Sequence, residues 1–202
     1  MPFVDYSFIQ NSYDSYYEKF TNGESRCIDN DIPFDIPYSW QFIRLKNIYE
    51  LLSGRDLSPS EYNDSEEGVP YITGASNFRD GEIVINRWTS RPQVKTETGD
   101  LLITCKGTVG ELSINSFGEA HIARQIMAIR NIFSQNIDFL RVCISYYVEL
   151  LKHQSKGLIP GISREDVLNL LLPVPPYREQ NRICTALHNV EIILSDIQCS
   201  IT

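Results

Sequence analysis

The sequence has no long hydrophobic run and no leader-like segment at its start. Its longest apolar stretches, such as residues 168–174, are far shorter than the roughly 20 residues that a membrane-spanning helix needs. The first six residues, MPFVDY, lack the basic and apolar regions of a secretory signal. The sequence therefore predicts a protein with no membrane partner, and a cytoplasmic location is the default expectation.

Paired cysteines and clustered histidines are also missing. The 202 residues include five cysteines, an odd number with no C-x-x-C pair, and three histidines that are scattered along the chain. A disulfide framework and a zinc knuckle both require a more regular spacing of these residues. Neither a metal site nor a disulfide framework is predicted.

Signatures of catalysis and of nucleotide binding are absent too. The GTVG segment at 107–110 lacks the spacing and the lysine of a phosphate-binding loop. A cysteine-dependent enzyme would use Cys105 or Cys143 as nucleophile and His121 as base, but no nucleophile elbow or orienting carboxylate accompanies them. Such an enzyme stays an alternative, and no catalytic residue is predicted.

Positive charge is scarce overall but unevenly distributed. The net charge is −8, and the segments 1–70, 71–170 and 171–202 carry −8, +1 and −1. A surface that binds nucleic acid needs clustered cations rather than a basic protein as a whole. The middle of the chain is therefore the region where such a surface is expected, although ordinary solvated lysines and arginines also account for this charge.

Short apolar runs with a period of two residues predict a sheet in the middle of the chain. The predicted strands cover residues 71–73, 82–86, 100–106, 111–114, 121–130 and 168–174. A helical period begins at Asn136, a suitable cap, and continues to about Gln154. The predicted fold class is α+β, with a curved, mostly antiparallel sheet and flanking helices.

Composition divides the chain into three parts. Residues 1–37 are rich in Tyr, Asp, Ser and Asn and end in a proline-containing run, which predicts an extended N-terminal arm. Residues 38–176 form the folded domain, and residues 177–202 form a C-terminal helix.

That last helix has a coiled-coil spacing. Its apolar residues are spaced 4, 3, 4 and 3 apart, as Ile183, Leu187, Val190, Leu194 and Ile197. The spacing fits an oligomerisation seam that packs against another helix, and it fits an amphipathic helix docked on its own domain equally well.

Several segments, in order, resemble the specificity subunits of Type I restriction-modification enzymes. They are IPYSW at 36–40, RLKNI at 44–48, VPYI at 69–72, GEI at 81–83, GDLLI at 99–103, GTVG at 107–110, KGLIPGI at 156–162 and LPVPPYREQNRI at 172–183. Tyr177 stands where the family commonly has leucine. The resemblance covers nearly the whole chain, and it identifies 38–176 as a target-recognition domain.

The resemblance implies a non-catalytic DNA-recognition subunit that directs partner methyltransferase and restriction subunits to a bipartite site in double-stranded DNA. It implies no cofactor on this chain, with S-adenosylmethionine and ATP on the partners. Family members have two recognition domains joined by long helices. Since one domain and the start of one such spacer helix are seen here, the chain is either a fragment or a half-subunit that pairs with a second copy.

Polar and cationic residues in the loops are the candidates for DNA contact. Glycine lets a backbone approach a ligand closely, Asn and Arg suit adenine and guanine, and cations hold phosphates. The candidates are Ser76, Asn77, Arg79, Arg87, Arg91, Lys95, Lys106, Thr108, Arg124, Lys156 and Arg164. Asn77 is also a plausible turn-former, and 107–110 a plain hairpin turn.

Two residues of the 121–130 run require a choice. Arg124 and Gln125 are predicted to point to opposite faces of one strand, so only one of them is expected to contact DNA, and Arg124 is chosen. The remaining alternative for the whole chain is a protein-interaction module without DNA readout, which would expose an apolar patch where the cationic loops are placed.

Overall fold

The computed structural model describes residues 7–12, 15–154 and 161–201, and it confirms the α+β class. Three α-helices are present in this part of the chain: α1 (Ile137–Gln154), α2 (Arg164–Leu168) and α3 (Tyr177–Ile201). None of the helices in these ranges is long and apolar enough to cross a bilayer.

Short strands make up most of the remainder. They are β1 (Ser7–Ser12), β2 (Ser15–Phe20), β3 (Ser25–Cys27), β4 (Gln41–Arg44), β5 (Tyr49–Ser53), β6 (Val69–Ile72), β7 (Phe78–Arg79), β8 (Glu82–Ile83), β9 (Trp88–Thr89), β10 (Lys95–Thr96), β11 (Leu101–Thr104), β12 (Leu112–Ile114), β13 (Ala120–Ile122), β14 (Ile126–Asn131) and β15 (Leu171–Val174). Single 3-10 turns lie at Asp29–Asp31, Leu45–Asn47, Pro59–Glu61 and Ala75–Asn77.

The central sheet is antiparallel, with the strand order β12-β11-β14-β5. Every residue of β11 is buried, because the sheet is covered on both faces. Side chains alternate across a strand, so Leu101 and Ile103 enter the core beneath α1, and Leu102 enters a second core on the other face. This double burial gives the loops at the strand ends a rigid base.

A second sheet, with the order β10-β13-β6-β9, supplies that other core. It contains one parallel pair, β13 with β6, among otherwise antiparallel neighbours. Ile72 and Ile122 lie opposite each other in this pair and are fully buried. The predicted sheet is thus two packed sheets, mostly antiparallel as expected.

The single strand predicted for 121–130 is wrong, because the chain changes sheets within it. Ile122 still pairs with Ile72 in the second sheet, whereas Ile126 already pairs with Thr104 in the central sheet. A turn joins the two, closed by a 2.9 Å hydrogen bond from the Ile126 amide to the Ala123 carbonyl. Arg124 and Gln125 therefore lie in a turn and not on opposite faces of a strand.

The N-terminal segment differs from the predicted extended arm. Its described residues include a three-stranded antiparallel sheet, β1-β2-β3. The buried carboxylate of Glu18 in β2 holds this sheet against the domain, because both of its oxygens accept hydrogen bonds from Arg44 in β4, at 3.2 and 2.9 Å. The boundaries at residues 37 and 176 stay predictions.

The helices follow the expected signals, with one correction. The Asn136 side chain caps α1 by accepting a 3.0 Å hydrogen bond from the Phe139 amide. The strand predicted for 168–174 is shorter, because α2 extends to Leu168 and only Leu171–Val174 pairs, antiparallel, with β4. A capping box at Ser163 starts α2 early.

Candidate nucleic-acid interface

Three loops meet around the side chain of Gln125. They comprise residues 73–77, 106–108 and 124–125, and we call them the three-loop cluster. A β-carbon on Gly74 would lie 2.5 Å from Oε1 of Gln125, and one on Gly107 would lie 3.9 Å from the same atom. Gly74 leaves the space that the Gln125 amide occupies, and a β-carbon on Gly107 would make only ordinary contact with it, so loops that are distant in sequence lie close together here.

The 124–125 turn is held from two sides. The Cys105 amide donates to the Gln125 carbonyl at 2.7 Å, and the Arg124 amide donates to Oδ1 of Asp56 at 3.1 Å. The Arg124 guanidinium also lies 2.7 Å from Asp56 Oδ2, but its side chain is 68% exposed. An ion pair so open to water contributes little, so a phosphate can compete with Asp56 for Arg124.

The 73–77 loop corrects one candidate. Asn77 is fully buried, and its side-chain oxygen accepts hydrogen bonds from the amide and hydroxyl of Thr73, while its NH2 group donates to the Val84 carbonyl. Asn77 is thus the turn-former of the loop and has no exposed group for a base. Ser76 and Arg79 beside it are exposed, as a contact surface requires.

The 106–110 connection between β11 and β12 needs both of its glycines. Gly107 and Gly110 have φ values of +74° and +91°, which side-chain-bearing residues rarely adopt. A β-carbon on Gly110 would also lie 2.4 Å from a methyl group of Val148 in α1. This packing fixes the base of the loop while Lys106 and Thr108 stay exposed.

A second cationic group lies along 87–95. The Arg87 guanidinium stacks 4.8 Å above the Tyr62 ring, Arg91 is exposed, and Lys95 forms a 2.7 Å ion pair with Glu119. Both partners of that ion pair are about half exposed. The sequence predicted this group, and the structure leaves all three cations on the surface.

His121 ties this second group to the rest of the domain. Its buried ring lies against Tyr71, Nδ1 accepts a 3.2 Å hydrogen bond from the Val94 amide, and Nε2 lies 2.8 Å from the Arg55 carbonyl. Both ring nitrogens are therefore engaged by the backbone. His121 fixes the paths of 54–56 and 93–95, which flank the candidate cations.

The surroundings of Cys105, Cys143 and His121 argue against the alternative of a cysteine-dependent enzyme. Burial raises the pKa of the Cys105 thiol, whose sulfur lies 3.7 Å from the Arg124 carbonyl. Burial also raises the pKa of Cys143 to about 12. Neither thiol is a thiolate near neutral pH, and His121 has no nitrogen available as a base.

Two further candidates, Lys156 and Arg164, follow α1 in the sequence. Nη1 of Arg164 donates to the Leu51 carbonyl at 2.6 Å and to the Ser53 hydroxyl at 3.0 Å. Arg164 therefore joins α2 to β5 while it stays exposed, and its contact with DNA remains a prediction. Lys156 lies outside the described residues.

Gln125 is the residue that the sequence interpretation set aside in favour of Arg124. A polar pair, Arg124-Gln125, interrupts an otherwise apolar run between Ile122 and Ile126. Two consecutive polar residues cannot both be accommodated in a strand that is buried on both faces. That interruption was the available signal for a turn.

The apolar stripe of α3 is mostly exposed. Ile183 is half-buried near the domain, whereas Leu187, Val190, Leu194 and Ile197 are all exposed. Two further large apolar residues, Ile192 and Ile193, are exposed as well. Among the described residues, the domain does not cover this part of the helix, which disfavours docking of the stripe on its own domain.

The chain is similar to several known proteins of type I restriction-modification systems. The putative type I restriction enzyme MjaX specificity subunit of Methanocaldococcus jannaschii is 27% identical over 167 residues, which cover 79% of this chain and 38% of that protein. The crystal structure of the HsdS subunit from Thermoanaerobacter tengcongensis superposes with a TM-score of 0.73 at 25% identity, covering 83% of this chain and 41% of that one.

A further solved chain extends the comparison. It comes from work on complex assembly and conformational transition of the type I R-M system, and it matches with a TM-score of 0.74 at 27% identity, covering 83% of this chain and 42% of that one. The chain thus spans about two fifths of the length of these relatives. The profile of the Type I restriction modification DNA specificity domain matches residues 37–201, and the chain belongs to that family.

Proposed function

We propose that this domain reads a DNA sequence through the three-loop cluster and thereby directs methyltransferase and restriction subunits to one part of a bipartite site. The observation that carries the proposal is that the loops bearing the exposed residues Ser76, Lys106 and Thr108 meet near the exposed side chain of Gln125. Family membership supports the reading of DNA, and the doubly buried central sheet supplies the rigid frame that base contacts need.

In this proposal, the cationic side chains and the uncharged polar side chains contact different parts of the DNA. Arg79, Arg87, Arg91 and Lys106 are exposed and contact phosphates, which sets the register of the domain on the duplex. The shorter polar side chains then reach the base edges. None of the exposed large hydrophobic residues in the described ranges belongs to the three-loop cluster, which favours DNA over an apolar protein partner here.

We propose that the partner subunits, and not this chain, catalyse the reactions of the complex. The chain is a non-catalytic cytoplasmic subunit, and S-adenosylmethionine and ATP bind to the methyltransferase and restriction subunits. The 107–110 segment supports this assignment, because its loop packs on α1 through Gly110 and has no phosphate-loop spacing.

The exposed stripe of α3 packs against a second helix, either from another recognition domain or from a second copy of this chain. Leu194→Ala is expected to weaken this association about tenfold, since it removes roughly 1–2 kcal/mol of apolar burial. Analytical ultracentrifugation of the chain, alone and with its methyltransferase partner, measures the effect. Asn189→Ala, exposed on the same helix but outside the stripe, is the control and leaves association unchanged.

The proposed function is tested by selecting binding sites. The chain, assembled with its methyltransferase partner, is mixed with a randomised duplex DNA library, and the bound molecules are sequenced. We expect enrichment of one motif. Retention of DNA without any enriched motif, or no retention at low salt, would contradict sequence-specific recognition.

A further inference from the structure

We infer that Gln125 is a specificity-determining residue that reads an adenine in the major groove. The inference rests on the proposed function, since it assigns one base contact to the three-loop cluster. It also replaces Arg124, the residue that the sequence pattern favoured, as the reader in this turn.

The first support is the position of the side chain. The Gln125 amide lies where a β-carbon on Gly74 of the 73–77 loop would meet it, and it is also near Gly107 of the 106–108 loop. Gly74 has an extended φ of 168°, which any residue can adopt, so its backbone conformation does not require glycine. A β-carbon at residue 74 would, however, lie 2.5 Å from Oε1 of Gln125 and would displace that amide.

The second support is the rigidity of the turn. The Gln125 carbonyl is held by the Cys105 amide, and the neighbouring Arg124 amide is held by Asp56. Ala123 before the turn bonds to the Ile72 carbonyl at 2.9 Å, and Ile126 after it is fully buried. A base-reading side chain must start from a backbone that does not move, and this turn is fixed on both sides.

The third support is that the amide is available. Gln125 is exposed, and its side chain forms no hydrogen bond or ion pair with any residue of the described ranges. Asn77 in the same cluster is buried and its side-chain oxygen and NH2 group are both used within the loop, and the guanidinium of Arg124 offers donors but no acceptor. Gln125 is thus the member of its turn whose side chain has both a donor and an acceptor without a partner among the described residues.

The chemistry of the amide selects the base. A glutamine side chain offers one acceptor and a donor group in one plane, which matches N6 and N7 on the major-groove edge of adenine. Guanine presents two acceptors on that edge and suits arginine instead. An adenine therefore satisfies the Gln125 amide when the loops exclude water from it.

The experiment compares enriched motifs for the complete complex with partner subunits, using a randomised duplex DNA library as the probe. Gln125→Ala is expected to lose discrimination at one adenine position by about 5- to 150-fold, as for one bidentate contact, with the other positions unchanged. Gln125→Glu, which can only accept, is expected to shift that same position from adenine toward cytosine. Gly74→Ala displaces the amide and is expected to affect the same position.

Gln41→Ala is the matched control, since Gln41 is an exposed glutamine on β4 outside the cluster, and it keeps the wild-type motif. Thermal melting of each variant shows whether it folds. If the Gln125 variants do not fold, Gly74→Ala still tests the inference, because it displaces the same amide. An unchanged motif in the folded variants, or a change at a position that is not adenine, overturns the inference while the proposed function stands. Absence of any motif for the wild type overturns both.

Discussion

Arg44→Ala is expected to destabilise the protein by about 3–5 kcal/mol in urea unfolding, which is a large part of the stability of a domain this size. The Arg44 side chain is 8% exposed and that of its partner Glu18 only 2%. Removal of the guanidinium leaves a buried carboxylate without its bidentate partner. It also removes the 2.6 Å hydrogen bond from Nη1 to the Asn169 carbonyl.

The chain offers a matched control for this variant. Arg26 contacts the same carboxylate at 3.0 Å, but its side chain is 59% exposed. Arg26→Ala is therefore expected to change the free energy of unfolding by less than about 1 kcal/mol. Glu18→Gln in the Arg44→Ala background removes the buried charge that has lost its bidentate partner and is expected to recover part of the loss. Equal effects of the two arginine variants would contradict this account of the N-terminal sheet.

The pH dependence of stability follows from the same pair. Burial by itself raises the pKa of Glu18, but hydrogen bonds from Arg44 and Ser7 outweigh it and lower the pKa from 4.5 to about 2. A lowered folded-state pKa stabilises the fold above about pH 4.5, and this contribution is lost as the pH falls toward 2. Arg44→Ala is expected to reduce that acid-induced loss, as measured by urea midpoints across this pH range.

The DNA affinity of the assembled complex is expected to fall about 100-fold between roughly 50 and 200 mM salt. Four exposed cations, Arg79, Arg87, Arg91 and Lys106, are proposed to neutralise phosphates. Each such contact releases a counterion and adds about 0.9 to the slope of log affinity against log salt. Fluorescence anisotropy with a fixed duplex measures that slope.

Single variants separate phosphate contacts from general charge. Lys106→Ala is expected to reduce the slope by about one and to weaken binding evenly across sequences. Arg182→Ala removes an exposed charge on α3, paired with Glu179, and is expected to leave the slope unchanged. Binding that is indifferent to salt would favour the protein-interaction module over DNA recognition.

Local signals in the sequence predicted the elements that depend on local chemistry. The Asn136 cap, the apolar period of α1 and the exposed cations of the 87–95 segment are all read from short stretches. The partition of 121–130 between two sheets was not predictable in this way, because it depends on pairing with Ile72 and Thr104, far away in sequence.

Contacts between residues distant in sequence also limited the prediction of the candidate site. Exposure of Ser76, Lys106 and Thr108 followed from their loop positions, whereas Asn77 was misjudged because its partners, including Val84, are brought near only by the fold. Gln125 was set aside in favour of Arg124 for a similar reason. Its proposed role depends on the space that Gly74 leaves in another loop, which no spacing within its own segment could indicate.

Methylome sequencing of cells that carry this gene, intact or deleted, together with its active methyltransferase partner, tests the central claim most directly. The account predicts that deletion abolishes methylation at one bipartite motif and leaves all other methylated motifs in place. A symmetric motif would identify the second helix as that of another copy of this chain. An identical methylome in both strains, with the partner active, would contradict the assignment of DNA recognition to this domain.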